Sequence, residues 1–268
     1  MKGEVVKRGW VGVCLMGGAV LILGIGCGPI EGPVLVDDEG EPVPVPEPLE
    51  DWLRVISVEP LEEVSVRPVV AIEFNAYLDP ATFSSFGAIQ MNSGGLGRWG
   101  YTDYRMTRKT LLFRPNGDLE PELEYRIVMP GGAGFRSVVG SPLFPATTLP
   151  VVISTDELAP EGPIQRGAVR AAEVEEIFEG HCNQCHGDPQ WQLPSLEPER
   201  LVGARSGQVD RFLVEPYHPG RSYLMHKILP DYPDRRFTVQ PPPWSEAEAL
   251  TMEQIEKIED WIANGAPR

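Results

Sequence analysis

The residues best suited to chemistry in this chain are two cysteines and a histidine that lie close together. They form the run Cys182-Asn183-Gln184-Cys185-His186. A C-x-x-C-H run is the attachment signature of c-type haem, because each thiol can add across a haem vinyl group. The adjacent histidine is then held against the iron as an axial ligand. The run predicts one covalent haem c on Cys182 and Cys185, with His186 as the proximal iron ligand.

Three other interpretations of this run remain open from the residues alone. A thioredoxin-like pair needs a reactive thiolate at the start of a helix, whereas the predicted helix precedes these cysteines. A zinc site could recruit His181 and His186, but four ligands within six consecutive residues would make a poor tetrahedral cage. A disulfide between Cys182 and Cys185 is the third interpretation, if the compartment is oxidising.

Helices are predicted at both ends of the stretch 168–268, where they could hold the apolar edge of a haem. The first spans Ala168–Gly180, and the second begins at the capping box Thr251–Gln254 and ends at Gly265. Apolar residues recur at helical spacing in both. These residues are Val174, Ile177 and Phe178, then Ile255, Ile258, Trp261 and Ile262. Shorter helical stretches are expected near Glu197–Ala204 and Arg221–Ile228.

An ordered set of motifs runs through the same stretch. It comprises Phe178-x-x-x-Cys182-x-x-Cys185-His186-Gly187, Leu201-Val202-Gly203, Glu215-Pro216-x-x-Pro219-Gly220-Arg221-Ser222-Tyr223-Leu224-x-x-Lys227 and Leu250-Thr251-x-x-Gln254-Ile255-x-x-Ile258-x-x-Trp261-Ile262-x-x-Gly265-Ala266-Pro267. This set resembles a group of bacterial monohaem cytochrome c domains. The resemblance implies a mainly α class I cytochrome c fold over 168–268, with one covalent haem.

The second axial position departs from that family. Its members usually carry Met-Pro-Pro before the final helix, and the methionine sulfur is the second axial ligand. Here the matching stretch is Val239-Gln240-Pro241-Pro242-Pro243, so Gln240 occupies the expected distal position. Gln240 could ligate weakly, the iron could stay open or hold water, or Met225 or His226 could reach it. Met/His ligation suits electron transfer, whereas an open iron binds small ligands.

Residues 53–154 are predicted to be all-β, because short β-branched or alternating runs recur between turn signals. The predicted strands include Arg54–Val58, Val69–Phe74, Thr110–Phe113, Tyr125–Met129 and Leu149–Ser154. About seven such strands in about 100 residues fit a sandwich. The aromatic residues Trp99, Tyr101 and Tyr104 could form a binding surface or pack within the sheet.

Three sets of motifs recur along this β region. They are Val58-Glu59-Pro60 with Ile72-Glu73-Phe74, then Leu78-Asp79-Pro80-Ala81-Thr82-Phe83, then Leu111-Leu112-Phe113-Arg114-Pro115 with Leu119-x-Pro121-x-Leu123-x-Tyr125. They resemble a bacterial Ig-like domain of the surface-layer type. The resemblance covers nearly all of 53–154 and implies an Ig-like β-sandwich, which usually serves as a spacer or adhesion module.

An export signal is predicted at the N-terminus, where a basic start precedes an apolar run from Trp10 to Gly26. The run ends at Cys27 and resembles a bacterial lipoprotein lipobox, although Leu is usual where Gly24 stands. The resemblance implies that residues 1–26 are a signal peptide and that Cys27 is lipidated. An uncleaved anchor helix is the alternative, since the run is near the lower length limit of a membrane span.

Both interpretations place the rest of the chain outside the cytoplasm and tethered to a membrane. Because Gly28 rather than Asp follows Cys27, the Asp-based inner-membrane retention signal is absent, which favours the outer membrane. Residues 27–52 are an acidic, proline-rich and extended linker. Residues 155–167 form a second linker, which suggests two semi-independent domains.

The chain is strongly acidic, with 39 Asp and Glu against 23 Lys and Arg and a net charge of −16. This balance argues against nucleic acid, because a phosphate backbone needs a basic face. It would suit a basic redox partner protein, or it is simply a solvated acidic surface.

The leading functional hypothesis is a membrane-tethered c-type cytochrome that transfers electrons. No catalytic base or nucleophile accompanies the haem motif, so the chain is not expected to be an enzyme. A second hypothesis is a haem module that binds or senses a small ligand at an open sixth position. A third is an adhesion or scaffold protein that acts through its Ig-like domain, with the haem domain accessory.

Overall fold

The structure of the chain is a computed structural model. It describes residues 52–60, 65–83, 89–93, 96–121, 123–129, 132–144, 147–151, 166–187, 196–233 and 238–268. The predicted export signal, Cys27 and the first linker lie outside these residues, apart from Trp52, as does most of the second linker. We call the described residues from 52 to 151 the β part, and those from 166 to 268 the helical part.

The β part is an antiparallel sheet, as the alternating runs predicted. The strands are β1 Val55–Glu59, β2 Val70–Phe74, β3 Gln90–Ser93, β4 Leu96–Arg105, β5 Thr110–Pro115, β6 Tyr125–Met129, β7 Gly132–Arg136, β8 Pro142–Leu143 and β9 Thr147–Val151. Seven of these strands form one sheet in the order β1-β2-β5-β4-β3-β6-β9, and β7 pairs with β8 separately. Each of the five predicted strands coincides with or overlaps an observed one.

Strand β4 lets the sheet curl, because its two halves pair with different neighbours. Its first half pairs with β3 as far as Trp99, and its second half pairs with β5 from Gly100 onward. A Cβ atom on Gly100 would lie 2.1 Å from the backbone oxygen of Arg114. Only glycine therefore allows the close approach of the two backbones at this crossing point.

The concave side of the curled sheet holds the core of the β part. Val70, Ile72 and Phe74 on β2 are at most 1% exposed and alternate with more exposed residues. This period of two is what a sheet with one buried face requires. The Phe74 ring stacks on Phe135 of β7 with centroids 6.3 Å apart, which ties the small hairpin to the main sheet.

Trp99, Tyr101 and Tyr104 alternate between the two faces of β4, as the packing interpretation expects, and do not form one shared surface. Trp99 and Tyr101 are exposed on one face of β4, whereas Tyr104 is buried on the other. The odd and even positions of a strand point to opposite faces, so residues 101 and 104 cannot share one. The Tyr104 hydroxyl instead accepts a hydrogen bond from the backbone N–H of Leu78, at 3.0 Å.

Five helices lie in the described residues. They are α1 Pro80–Phe83, α2 Ala171–His181, α3 Pro198–Leu201, α4 Tyr223–Ile228 and α5 Met252–Ala263, with short 3₁₀ turns at Met106–Arg108 and Pro219–Arg221. The apolar stripes predicted for α2 and α5 are buried as expected. No helix in this part of the chain is both long and apolar enough to span a bilayer.

The ends of α5 follow the sequence signals closely. The Thr251 hydroxyl accepts the Gln254 backbone N–H at 3.2 Å, and the Gln254 side chain accepts the Thr251 N–H at 2.8 Å. This is the predicted capping box. At the other end Gly265 takes a φ of +93°, and the Ala266 N–H donates to the Trp261 oxygen at 2.8 Å. That bond belongs to the helix-ending pattern that glycine favours.

The β part and the helical part pack directly on each other. Residues Pro48–Arg268 form one compact unit. Arg166, at the end of the predicted second linker, is almost fully buried and pairs with Asp103 of β4 and Asp260 of α5. The contact between the β part and the helical part therefore includes polar residues whose sequence context indicates a linker or an exposed surface.

Candidate functional site

The cysteine motif lies in a tight turn at the C-terminal end of α2. The Cys182 N–H donates to the Phe178 oxygen at 2.8 Å and continues the helical pattern for one more residue. The backbone then folds back, since the N–H groups of Cys185 and His186 both donate to the Cys182 oxygen, at 3.2 and 3.0 Å. This turn brings Cys182, Cys185 and His186 to the wall of a single cavity.

The two residues between the cysteines anchor this turn. The Asn183 side-chain oxygen accepts the Leu196 backbone N–H at 3.0 Å, and its amide donates to the Leu196 oxygen at 3.4 Å. The Gln184 amide donates to the Gly180 oxygen at 3.1 Å. These bonds fix the positions of the two thiols relative to α2. Neither residue was predicted to have a role, because the two positions between the cysteines carry no general signal in the sequence.

His181 ties the first helix to the last. Its Nδ1 donates to the Glu248 backbone oxygen at 2.7 Å, because a carbonyl can only accept. Its Nε2 then accepts from the Gln254 side-chain amide at 2.9 Å. Both ring nitrogens are engaged, which leaves neither placed as the extra ligand of a zinc site. In the part of the chain that the structure describes, no group of three His, Cys, Asp or Glu side chains could hold a metal ion.

The cavity beside the cysteine motif has a volume of about 590 Å³. That volume lies within the range of natural cofactor pockets, which are mostly apolar with a few placed polar groups. Its apolar walls come from the loops and short helices between α2 and α5. The residues are Leu196, Leu201, Leu213, Leu224, Ile228, Pro241 and Pro242. Such walls exclude water from whatever the cavity holds.

The Cys182 thiol is poorly suited to thiolate chemistry. Burial, with a smaller contribution from Cys185 nearby, raises the pKa of Cys182 to about 11. Cys182 also follows the C-terminal end of α2, where the helix dipole disfavours a negative charge. A thioredoxin-like cysteine needs the opposite environment, with a lowered pKa at a helix start. Both cysteines are free thiols rather than a disulfide.

Of the three candidates for the distal position, the structure brings Gln240 to this cavity. The Gln240 backbone N–H donates to the Lys227 oxygen at 2.8 Å, which fixes its loop against α4. Met225 and His226 are fully buried and are not among the described residues that line the cavity. His226 instead donates to the Gly220 oxygen at 3.0 Å, and its ring stacks on Tyr232.

Polar residues that sequence analysis did not single out also line the cavity. The Lys227 ammonium donates to the Thr238 oxygen at 2.8 Å, and the Tyr223 hydroxyl donates to the Gln208 side chain at 2.8 Å. In the sequence, Lys227 and Tyr223 were noted only because their residue types match the cytochrome-like motif. Their shared position on the cavity wall depends on how the loops fold, and the motif does not predict that.

Comparisons with known proteins give little similarity. No protein-family model and no curated protein matches the chain. The S-layer protein SbsC, as residues 31–844, is 15% identical with a TM-score of 0.31, covering 39% of this chain and 14% of that one. The native conformation of E. coli alpha-2-macroglobulin is 16% identical in sequence with a TM-score of 0.30. The match covers 39% of this chain and 6% of that one. At these TM-scores the similarity defines neither a fold nor a function.

Proposed function

We propose that this chain is a membrane-tethered c-type cytochrome that transfers electrons through one covalent haem. The observation that carries the proposal is the shared cavity: Cys182, Cys185 and His186 line it together with Gln240. One turn holds two thiols and an imidazole together. These are the groups that the attachment of haem c requires.

The residues present fit such a group. The thiols would hold it covalently, and His186 would supply the proximal nitrogen. When bound, haem supplies a one-electron change between ferric and ferrous iron. The leucine and proline walls exclude water from the site.

The rest of the chain would position and locate this site. We assign residues 168–268 to a class I cytochrome c domain, held together by the contact of α2 with α5 through His181 and Gln254. We assign the curled sheet to an Ig-like domain that acts as a spacer. Lipidation at Cys27 would tether the exported chain to a membrane, with a basic redox protein as partner. The function proposed is electron transfer, not catalysis.

A second function, small-ligand binding at an open sixth position, is favoured by one specific observation. Gln240 lines the cavity, whereas Met225 and His226 are packed elsewhere. A glutamine oxygen is a weak ligand for haem iron compared with the methionine sulfur of the resembling family. An iron without a firm sixth ligand can bind small molecules.

The two functions are separated by absorption spectra of the protein matured in an export host that builds c-type cytochromes. Spectra would be recorded oxidised, reduced, and reduced with carbon monoxide. A low-spin reduced spectrum that carbon monoxide leaves unchanged supports electron transfer with a firm sixth ligand. A high-spin spectrum that shifts with carbon monoxide supports ligand binding. A spectrum without any haem bands would overturn both.

Tethering has its own test in the variant Cys27→Ser. If Cys27 is lipidated, the wild-type chain fractionates with membranes and incorporates labelled fatty acid, and C27S does neither. Cys14, which lies within the apolar run, is the matched control, since Cys14→Ser should change neither property. Membrane association of C27S with no labelling of the wild type would favour an uncleaved anchor helix instead.

A further inference from the structure

A second cavity, of about 550 Å³, lies where the outer face of the sheet meets the end of α5. The β part contributes Tyr101, Asp103 and Arg114, and the helical part contributes Tyr217 and Asn264. Pockets with a few convergent polar groups often lie where two parts of a protein meet. None of these residues belongs to the haem site, so the cavity has no role in the function proposed above.

Tyr217 lines this cavity with a strained backbone conformation. It occupies the third position of a turn that begins at Glu215, closed by a hydrogen bond from the His218 N–H to the Glu215 oxygen at 3.0 Å. Pro216 precedes it, and Tyr217 has a φ of +67°. Glycine is the residue that such a turn favours, and a bulky residue there is strained. Residues strained in this way cluster at functional sites.

The surroundings of Tyr217 keep its ring in place but leave it exposed. The Tyr217 N–H donates to the Ile262 oxygen at 2.8 Å, which fixes the turn against the end of α5. A Cβ atom on Gly265 would lie 2.5 Å from the Tyr217 ring, so glycine at 265 leaves room for it. Even so, 69% of Tyr217 is exposed, as is 66% of Tyr101. Two aromatic faces are thus available to a ligand.

Arg114 supplies an uncompensated positive charge to the cavity. It lies opposite Tyr101 in the pairing of β4 with β5 and is partly buried. Among the residues that the structure describes, its guanidinium has no hydrogen-bond or ion-pair partner. Yet the chain has 39 acidic residues and 23 basic ones, and carboxylates compensate the neighbouring Arg166. A half-buried arginine without a carboxylate in so acidic a chain points to an external anion.

Asp103, the carboxylate that lines this cavity, forms its ion pair with Arg166 and not with Arg114. Its two carboxylate oxygens both accept from Arg166, at 3.0 and 2.8 Å from Nε. Both oxygens are therefore engaged by a different guanidinium, that of Arg166, which also pairs with Asp260 and Glu259. The cavity offers one available cation, two aromatic faces and several polar groups. Tyrosine combines an apolar ring face with a polar tip, which suits a ring-shaped ligand with hydroxyl groups.

We propose that this cavity binds a uronic acid residue of an acidic saccharide. The sugar carboxylate would pair with Arg114, whose planar guanidinium matches carboxylate geometry. The faces of the sugar ring would lie against Tyr101 and Tyr217. The Asn264 side-chain oxygen would accept a hydrogen bond from one of its hydroxyl groups, since the Asn264 amide nitrogen already donates to the Gly167 oxygen at 2.7 Å. This function is independent of haem and would let the β part and helical part together engage an acidic polysaccharide.

The test is isothermal titration of the full-length protein, as matured in an export host, with short galacturonate and glucuronate oligosaccharides. Saturable binding of at least one of them is expected, and its methyl ester should bind at least ten-fold more weakly. Because the protein has a net charge of −16, general electrostatic attraction of a polyanion cannot produce this result. Inorganic sulfate should not compete at concentrations similar to those of the saccharide.

Variants then assign the binding to this cavity. Arg114→Gln and Tyr217→Gly should each weaken binding at least ten-fold. Tyr217→Gly also relieves the backbone strain at this position, so loss of binding in that variant cannot be attributed to unfolding. Trp99→Thr is the matched control, an exposed aromatic on the same strand that is not among the described residues lining the cavity, and it should bind like the wild type.

Four outcomes overturn the proposal. They are no saturable binding of either oligosaccharide at millimolar concentration, equal binding of the methyl ester, unchanged binding by R114Q and Y217G, and equal competition by sulfate. Equal competition by sulfate would mean that the cavity is a simple anion site. Equal binding of the ester would mean that Arg114 does not bind the sugar carboxylate. The haem site can fail its own test without affecting any of these results.

Discussion

The Arg166 guanidinium lies 3.4 Å from the carboxylate of Glu259, and the two side chains are only 7% and 1% exposed. Glu259 also accepts hydrogen bonds from the backbone N–H groups of Met106 and Thr107, at 2.6 and 3.1 Å. A single carboxylate on α5 thus joins the helical part to the 3₁₀ turn between β4 and β5. Burial raises the pKa of Glu259, although Arg166 and these hydrogen bonds act against it.

Removing the buried cation should be costly. Arg166→Met leaves Glu259 and Asp260 without their shared partner in a site closed to water, and we expect the free energy of unfolding to fall by about 3–5 kcal/mol. Denaturant titration measures it. Arg108→Met is the matched control, because Arg108 pairs with Glu256 of the same helix on the surface, and it should cost less than about 1 kcal/mol. Equal losses in the two variants would contradict this account of the interface.

The close approach at Gly100 gives a second prediction. Gly100→Ala would place a methyl group 2.1 Å from the Arg114 oxygen and 2.6 Å from the Phe113 ring. We expect it to lower the free energy of unfolding by about 1–3 kcal/mol or more, since the backbones must separate. Gly180→Ala in α2 meets nothing within 4 Å and should be neutral or stabilising by up to about 1 kcal/mol. A neutral G100A would refute the crossing of β4 at that residue.

Local patterns predicted the elements that depend on neighbouring residues. The alternation on β2 and β6 and the capping box at Thr251 each involve residues a few positions apart, and each is observed. Strand β4 was not among the predicted strands. It contains Gly97 and Gly100, a residue type that also favours turns, although Gly100 is the point at which the sheet curls. A glycine inside a strand carries no mark that separates these two roles.

Contacts between distant residues could not be predicted in the same way. The cysteine motif and Gln240 were identified by type and local spacing, but their meeting in one cavity depends on the intervening loops. Arg166 and Glu259 are 93 residues apart in the chain, and the segment before Arg166 reads as a linker by its prolines and glycine. Nothing in either neighbourhood indicates that the two charges are buried together.

The contact between Asp231 and the β part should depend on pH. Burial alone would raise the pKa of Asp231, but hydrogen bonds from Lys109 and Tyr77 outweigh it and hold that pKa below its usual value. A carboxyl with a lowered folded pKa stabilises the fold above its unfolded pKa of about 3.9, and the contribution is lost as pH falls through the folded value.

We therefore expect Asp231→Asn to lower the free energy of unfolding by up to about 1 kcal/mol at pH 7, since the carboxylate is more than half exposed. The difference from wild type should shrink steadily below about pH 4. Denaturant titrations across that range measure it. A difference that grows as the pH falls would have the wrong sign and would contradict the assigned shift.

The distal position can be tested by restoring the residue of the resembling family. Gln240→Met places a thioether on the cavity wall, and we expect a low-spin reduced spectrum unaffected by carbon monoxide and a higher reduction potential than wild type. Met225→Leu is the matched control, because Met225 is buried away from the cavity, and it should leave both properties unchanged. A spectral change in M225L with none in Q240M would assign the sixth ligand to Met225 instead.

The central claim is covalent attachment of haem at Cys182 and Cys185, and one measurement tests it most directly. The protein, matured in a host that builds c-type cytochromes, is denatured, extracted with acid acetone and digested for mass spectrometry. We expect haem to stay with the chain on the peptide that contains both cysteines, and the double variant C182S/C185S to carry none. Haem extracted completely into the solvent, or a peptide with two unmodified thiols, would contradict it.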